Sequence, residues 1–253
     1  MKLRRCFVPL QPLFLLAAAT LATGVHSASG QETITLRSGQ VQQVHILGAT
    51  SSGLKVQIGD AMMVEPFSNF TAVTMNPPPE YEAAVAAYES GDTQRAMTLD
   101  ASVVANYRGL PTDWAREAVM MEGDLYMAMN QTDQAQAAYQ DYQRAYPTAP
   151  AEDVNVGLAG VDLAKGDYTS AQAKIAPVLD QALLQRNPPK ADAQLFGRAF
   201  FVSGKIKEHA GDFPGALEDY LRTVAIFPQD RVAAAGAQAA ADSLRKAHGT
   251  TVQ

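Results

Sequence analysis

Few residues in this 253-residue chain have types and spacings that could do chemistry. Beyond the first thirty residues the histidines are His45, His209 and His248, and no two stand at the spacing that lets neighbouring side chains share a metal ion. The single cysteine, Cys6, falls in the N-terminal stretch, so the remainder has no thiol nucleophile, disulfide or thiolate ligand. No Gly-rich phosphate loop, nucleophile elbow or zinc-helix signature occurs. The 26 acidic residues are scattered, as on a solvated surface. Asp92, Asp167 and Asp212 each follow a glycine and are expected to be helix N-caps, where a carboxylate accepts hydrogen bonds from orphan backbone N–H groups. His209 stands just before such a turn, where a helix C-terminus favours a cation. Asn69-Phe70-Thr71 and Asn130-Gln131-Thr132 are glycosylation sequons, which matter in a eukaryotic secretory setting. This inventory points to a non-enzymatic protein with no cofactor and no metal, whose chemistry is that of a binding surface. A formal net charge of −6 argues against nucleic acid, because phosphate binding needs a basic face.

The elements that would carry such a surface begin after a leader. Lys2, Arg4 and Arg5 precede an apolar run densest from Leu13 to Ala22, followed by small residues up to Gly30. That order predicts a signal peptide over residues 1–29, with the mature chain starting between residues 28 and 31. Pro9 and Pro12 interrupt the run, which is short of the roughly 20 apolar residues of a membrane span. Cys6 precedes the run, whereas a lipid-modified cysteine would follow it. Export without disulfides suits a bacterial periplasm or cell envelope better than a stapled extracellular domain.

The remaining chain, in a sequence 47% hydrophobic, can bury a real core. Residues 31–76 alternate like short strands. Ile34 and Leu36, then Leu54, Val56 and Ile58, alternate with polar neighbours, and Ser38-Gly39, Ser51-Ser52-Gly53 and Gly59-Asp60 mark turns. Four or five strands at this spacing predict a small closed or nearly closed β-barrel, similar to Sm-like barrels. It has only Arg37 and Lys55 as cations, and Phe67 and Phe70 as aromatics, too little for a nucleic-acid groove. Pro77, Pro78 and Pro79 then form a semi-rigid linker.

From Glu80 the spacing turns helical and repeats. Gly91-Asp92 leads to Ala96, Asn130-Gln131 to Ala135, Gly166-Asp167 to Ala171 and Gly211-Asp212 to Ala216. The second copy carries Gly123, Tyr126, Ala135, Tyr139 and Pro147; the last repeats that spacing with Gly204, Ala216, Tyr220 and Pro228. This pattern resembles the tetratricopeptide repeat, a helix–turn–helix unit of about 34 residues. The resemblance implies a mainly α protein: a helical-hairpin solenoid of four repeats over residues 80–228, a capping helix over 229–247 and a disordered tail over 248–253. Small residues would let helices approach, the tyrosines would fill the gap between repeats, and proline would end the second helix. The chain departs from the family where Asp100 and Ile175 replace the aromatic. The turns are also spaced by 39, 36 and 45 residues, which is expected to lengthen the second helices.

The resemblance also implies a concave groove lined by the first helix of each repeat. Helical spacing places Tyr81, Val85 and Tyr88 there in the first copy and Met120, Asp124 and Met127 in the second. Val156 and Leu163 follow in the third, and Phe201, Lys205 and Glu208 in the fourth. Tyr88, Met127 and Phe201 would be its apolar centre, and Lys205 its main cation toward a carboxylate. Repeat domains that grip a C-terminal carboxylate use Lys and Asn on this face, and this chain has Met120 and Asp124 in their place. The function expected is a protein–protein scaffold or adaptor of the cell envelope that holds a partner peptide or helix. The alternative is an accessory glycan- or cell-wall-binding subunit using the β module. Exposed Phe67 and Phe70 would favour the second reading and buried ones the first.

Overall fold

The computed structural model describes residues 32–185 and 187–249. The leader expected over residues 1–29, and residues 250–253 of the expected tail, lie outside them. Six strands come first: β1 (Thr33–Leu36), β2 (Val41–Gln43), β3 (His45–Ala49), β4 (Gly53–Ile58), β5 (Ala61–Pro66) and β6 (Phe70–Thr74). They form two three-stranded antiparallel sheets, in orders β2-β1-β6 and β3-β4-β5. Leu54 and Val56 point into the core while Lys55 between them is exposed, as strand alternation requires. Gly59 has φ 59° in the two-residue turn between the paired Ile58 and Ala61, a conformation glycine adopts without strain.

The expected barrel does not close. β5 pairs only with β4 and β6 only with β1, so the two sheets keep free edges. Bulges between Thr35 and Leu36 and between Ile46 and Gly48 bend the ladders. The sheets complete their core on the helices instead: Ile34, Ile46, Leu54 and Phe70 share one hydrophobic cluster with Tyr81, Leu110 and Trp114. Gly48 is required where β3 meets the helices, because a Cβ there would lie 2.7 Å from the Asn106 carbonyl oxygen. The Trp114 indole N–H donates to the Met75 carbonyl at 3.0 Å.

Nine helices follow among the described residues. They are α1 (Pro79–Glu89), α2 (Thr93–Tyr107), α3 (Asp113–Ala128), α4 (Thr132–Ala145), α5 (Ala151–Ala164), α6 (Tyr168–Leu184), α7 (Lys190–His209), α8 (Phe213–Ala225) and α9 (Arg231–His248). Pro79, the last linker proline, is the first residue of α1, where its missing N–H costs nothing. α9 reaches His248, one residue into the segment expected to be a tail. α1/α2, α3/α4, α5/α6 and α7/α8 are the four hairpins. At their turns Gly91, Asn130, Gly166 and Gly211 have φ of 81°, 58°, 80° and 79°. Asp92, Asp167 and Asp212 cap the following helices, accepting from the N–H groups of Arg95, Ser170 and Gly215. Ala96, Ala135, Ala171 and Ala216 are fully buried at the helix crossings.

The tyrosine slot works through size. A Cβ on Gly123 would come within 2.4 Å of the Tyr139 ring, and one on Gly157 of the next repeat within 2.6 Å. Gly204 stands in the same relation to Tyr220, at 2.4 Å. Ala84 and Ala159 occupy the positions equivalent to those glycines in the other two copies, where Asp100 and Ile175 replace the tyrosine. The extra chain length is not confined to the second helices: α6 has 17 residues, but the longest helix is α7, a first helix of 20. No helix among the described residues is long and apolar enough to cross a membrane.

Candidate functional site

The first helices α1, α3, α5 and α7, together with α9, each contact the next, and α9 returns to contact α1. The solenoid therefore closes on itself, and an ion pair at 3.0 Å between Arg231 of α9 and Glu89 of α1 spans the closure. Inside this ring lies a pocket of about 370 Å³. Tyr81, Val85 and Tyr88 of α1, Met120 and Met121 of α3, Tyr142 of α4 and Leu195 of α7 supply its apolar and phenolic wall.

Its charge is predominantly negative, with six carboxylates (Glu89, Asp113, Glu117, Asp124, Asp153, Asp230) against three guanidiniums (Arg116, Arg198, Arg231). Arg198 sits at the centre. It pairs with Asp124 of α3 and lies 3.8 Å from Asp230, which also caps α9 by accepting from the Ala233 N–H. Asp124 further accepts the Tyr139 hydroxyl at 2.6 Å, so the inter-repeat tyrosine is tied to the pocket wall. Burial raises the Asp124 carboxyl, while Arg198 and the tyrosine hydroxyl pull it back. The buried guanidinium is held charged by Asp124 and Asp230. The Tyr81 hydroxyl donates to Glu117 at 2.5 Å, and burial together with that carboxylate raises the phenol well above its ordinary value. Burial also raises Asp153. Among the described residues no three His, Cys, Asp or Glu side chains converge as metal ligands.

Four of the eight expected groove residues, Tyr81, Tyr88, Met120 and Asp124, line this pocket, together with Val85. Met127 lies one turn beyond Asp124, half-buried against the first hydrophobic cluster. Leu163 packs half-buried on the second cluster, and Val156 is inside it. Phe201 lies beside Tyr220, with ring centroids 6.1 Å apart. Lys205 is 5.9 Å over Phe201 and 3.7 Å from Glu208, outside the pocket. Glu208 accepts the Tyr220 hydroxyl at 2.5 Å. The helix face is legible from the spacing, but the level along it is not: the pocket uses the N-terminal half of α7, through Leu195 and Arg198, and Phe201 and Lys205 lie further along. Arg198, Glu117, Asp153 and Asp230 escape sequence reasoning. Arg198 shares a helical face with Phe201 three residues on, and that phase is the one signal for it.

In the β module Phe70 is 5% exposed and Phe67 packs partly buried beside it, with centroids 5.9 Å apart. Neither offers an exposed ring to a sugar. His209 stacks on Tyr168 and His248 on Phe213, at centroid distances of 3.7 and 3.8 Å, each histidine in the last turn of its helix.

The tetratricopeptide repeat family model matches residues 117–149, from within α3 to just past α4. This is the copy whose glycine and tyrosines follow the pattern most fully. No curated protein matches the chain.

Proposed function

We propose that the protein is a non-enzymatic adaptor of the cell envelope that holds a segment of a partner protein inside the ring of first helices. The tetratricopeptide match supports a role in protein–protein interaction in general. The observation that carries the finer reading is the pocket of about 370 Å³, walled by Tyr81, Tyr88 and Tyr142. Tyrosines give large contact area at low entropic cost, and the volume lies within the roughly 300–1,000 Å³ of ordinary binding pockets. Export rests on the charged start, short apolar run and small-residue exit of the first thirty residues. The inward packing of Phe67 and Phe70 weighs against the glycan-binding alternative.

A benzophenone side chain placed at Val85, in the pocket, is expected to cross-link a protein partner in cells, and one at the exposed Gln140 is not. Equal capture from both positions, or none from Val85, would sink the reading. N-terminal sequencing of the cell-purified protein tests export, with a start between residues 28 and 31 expected.

A further inference from the structure

We infer that the pocket takes a basic segment, a stretch of chain carrying lysine or arginine; this rests on the adaptor reading above and names the chemistry of the partner.

The ion pairing of the wall is unbalanced. Arg198 is engaged by Asp124 and Asp230, Arg231 by Glu89, and Arg116 by Asp113. Glu117 and Asp153 remain, and neither has an ion-pair partner among the described residues; Glu117 only accepts the Tyr81 hydroxyl. Asp153 is half-buried, and a carboxylate so placed without an ion-pair partner bears a desolvation cost that an incoming ammonium or guanidinium offsets; Glu117 is exposed and adds negative charge to the same wall. An independent observation points the same way. The side-chain oxygen of Gln229, on the pocket wall, is buried and accepts no hydrogen bond. An orphaned acceptor calls for a donor, and Lys and Arg are side chains rich in donors.

The apolar wall fits the same ligand. Lys and Arg carry methylene stems that cover apolar surface, and Val85, Met120 and Leu195 supply it. Tyr81, Tyr88 and Tyr142 add aromatic edges to the same wall, against which such stems can pack. An acidic segment would instead meet an excess of like charge, and Lys205, the cation that the helical spacing offers to it, lies outside the pocket.

The test uses the purified chain and three labelled hexapeptides at physiological salt, alternating leucine with lysine, serine or glutamate. Fluorescence anisotropy is expected to show the lysine peptide binding at least about tenfold more tightly than the other two. The double variant Glu117→Gln, Asp153→Asn should cost the lysine peptide about tenfold and leave the serine peptide unchanged. Val85→Trp should block the lysine peptide, and its thermal melt shows whether it folds. Should it unfold, Leu195→Trp replaces it. Serine or glutamate peptides that bind as tightly as lysine overturn the basic preference and leave the adaptor reading standing. Lysine-peptide binding that survives both the carboxylate and the tryptophan variants is general attraction to an acidic surface and also overturns it. Absence of peptide binding combined with Val85 cross-linking removes the charge inference alone; absence of both removes both readings.

Discussion

Arg198 and Asp124 form an ion pair although 74 residues separate them in the chain. The guanidinium is 23% and the carboxylate 14% exposed, so the pair is largely withdrawn from water. It ties α7 to α3 across the ring, and the 3.8 Å approach to Asp230 brings in the start of α9. Removing one partner strands the other, which is why such pairs are costly to break and give little net stability when whole. Arg198→Met is expected to lower stability by about 3 kcal/mol. The double variant Arg198→Met, Asp124→Leu should recover most of that. Urea unfolding of the single and double variants is the check, and equal losses in both would show that the pair does not couple the two helices.

Asp100 titrates where a tyrosine would stand. It is 0% exposed, and neither carboxyl oxygen has a hydrogen-bond partner. Burial, with Glu122 and Asp124 adding like charge, pushes its pKa up to about 8. Its folded-state pKa therefore lies above the unfolded value near 3.9, and the native state binds the extra proton. The contribution to stability is full below about pH 4 and is lost as pH rises toward 8. Asp100→Asn cannot ionise, so its stability relative to the parent should rise across that window, by up to about 1.4 kcal/mol for each pH unit. Denaturation midpoints of both proteins from pH 5 to about pH 9 measure it; a constant difference would mean that Asp100 is already paired.

Gly123 faces the Tyr139 ring so closely that a methyl group has no room. Gly123→Ala should cost about 1–3 kcal/mol through overpacking. Ala135→Leu at the fully buried crossing of the same hairpin should cost a similar amount. An unchanged thermal midpoint for either would remove that residue from the repeat core.

Tyr88 and Met127 should separate binding from folding. Tyr88 lines the pocket and Met127 does not. Tyr88→Ala is expected to weaken the lysine peptide by roughly 1–3 kcal/mol. Met127→Ala should leave affinity intact and lower the melting temperature. The reverse pattern would move the site toward the C-terminal end of α3.

Local chemistry makes the repeats legible in the amino-acid sequence. A positive-φ turn needs Gly or Asn, an orphan helix N-terminus needs Asp, and a close helix crossing needs Ala; each requirement acts within a few residues, so Gly91-Asp92 with Ala96 and its three counterparts mark the hairpins directly. Strand alternation likewise places Leu54 and Val56 inward. Whether two short sheets close into a barrel depends on edges that never meet in sequence, and here the helices supply the missing cover. The pocket follows the same division. Its helix face can be read from the 3.6-residue period, which puts Tyr81, Tyr88, Met120 and Asp124 together. Its depth along α7, the Arg198–Asp124 pair and the Arg231–Glu89 closure cannot, because they arise from small rotations summed over four hairpins. Local pattern specifies each hairpin, and only their accumulated twist decides that α9 comes back to α1 and completes the wall of a pocket.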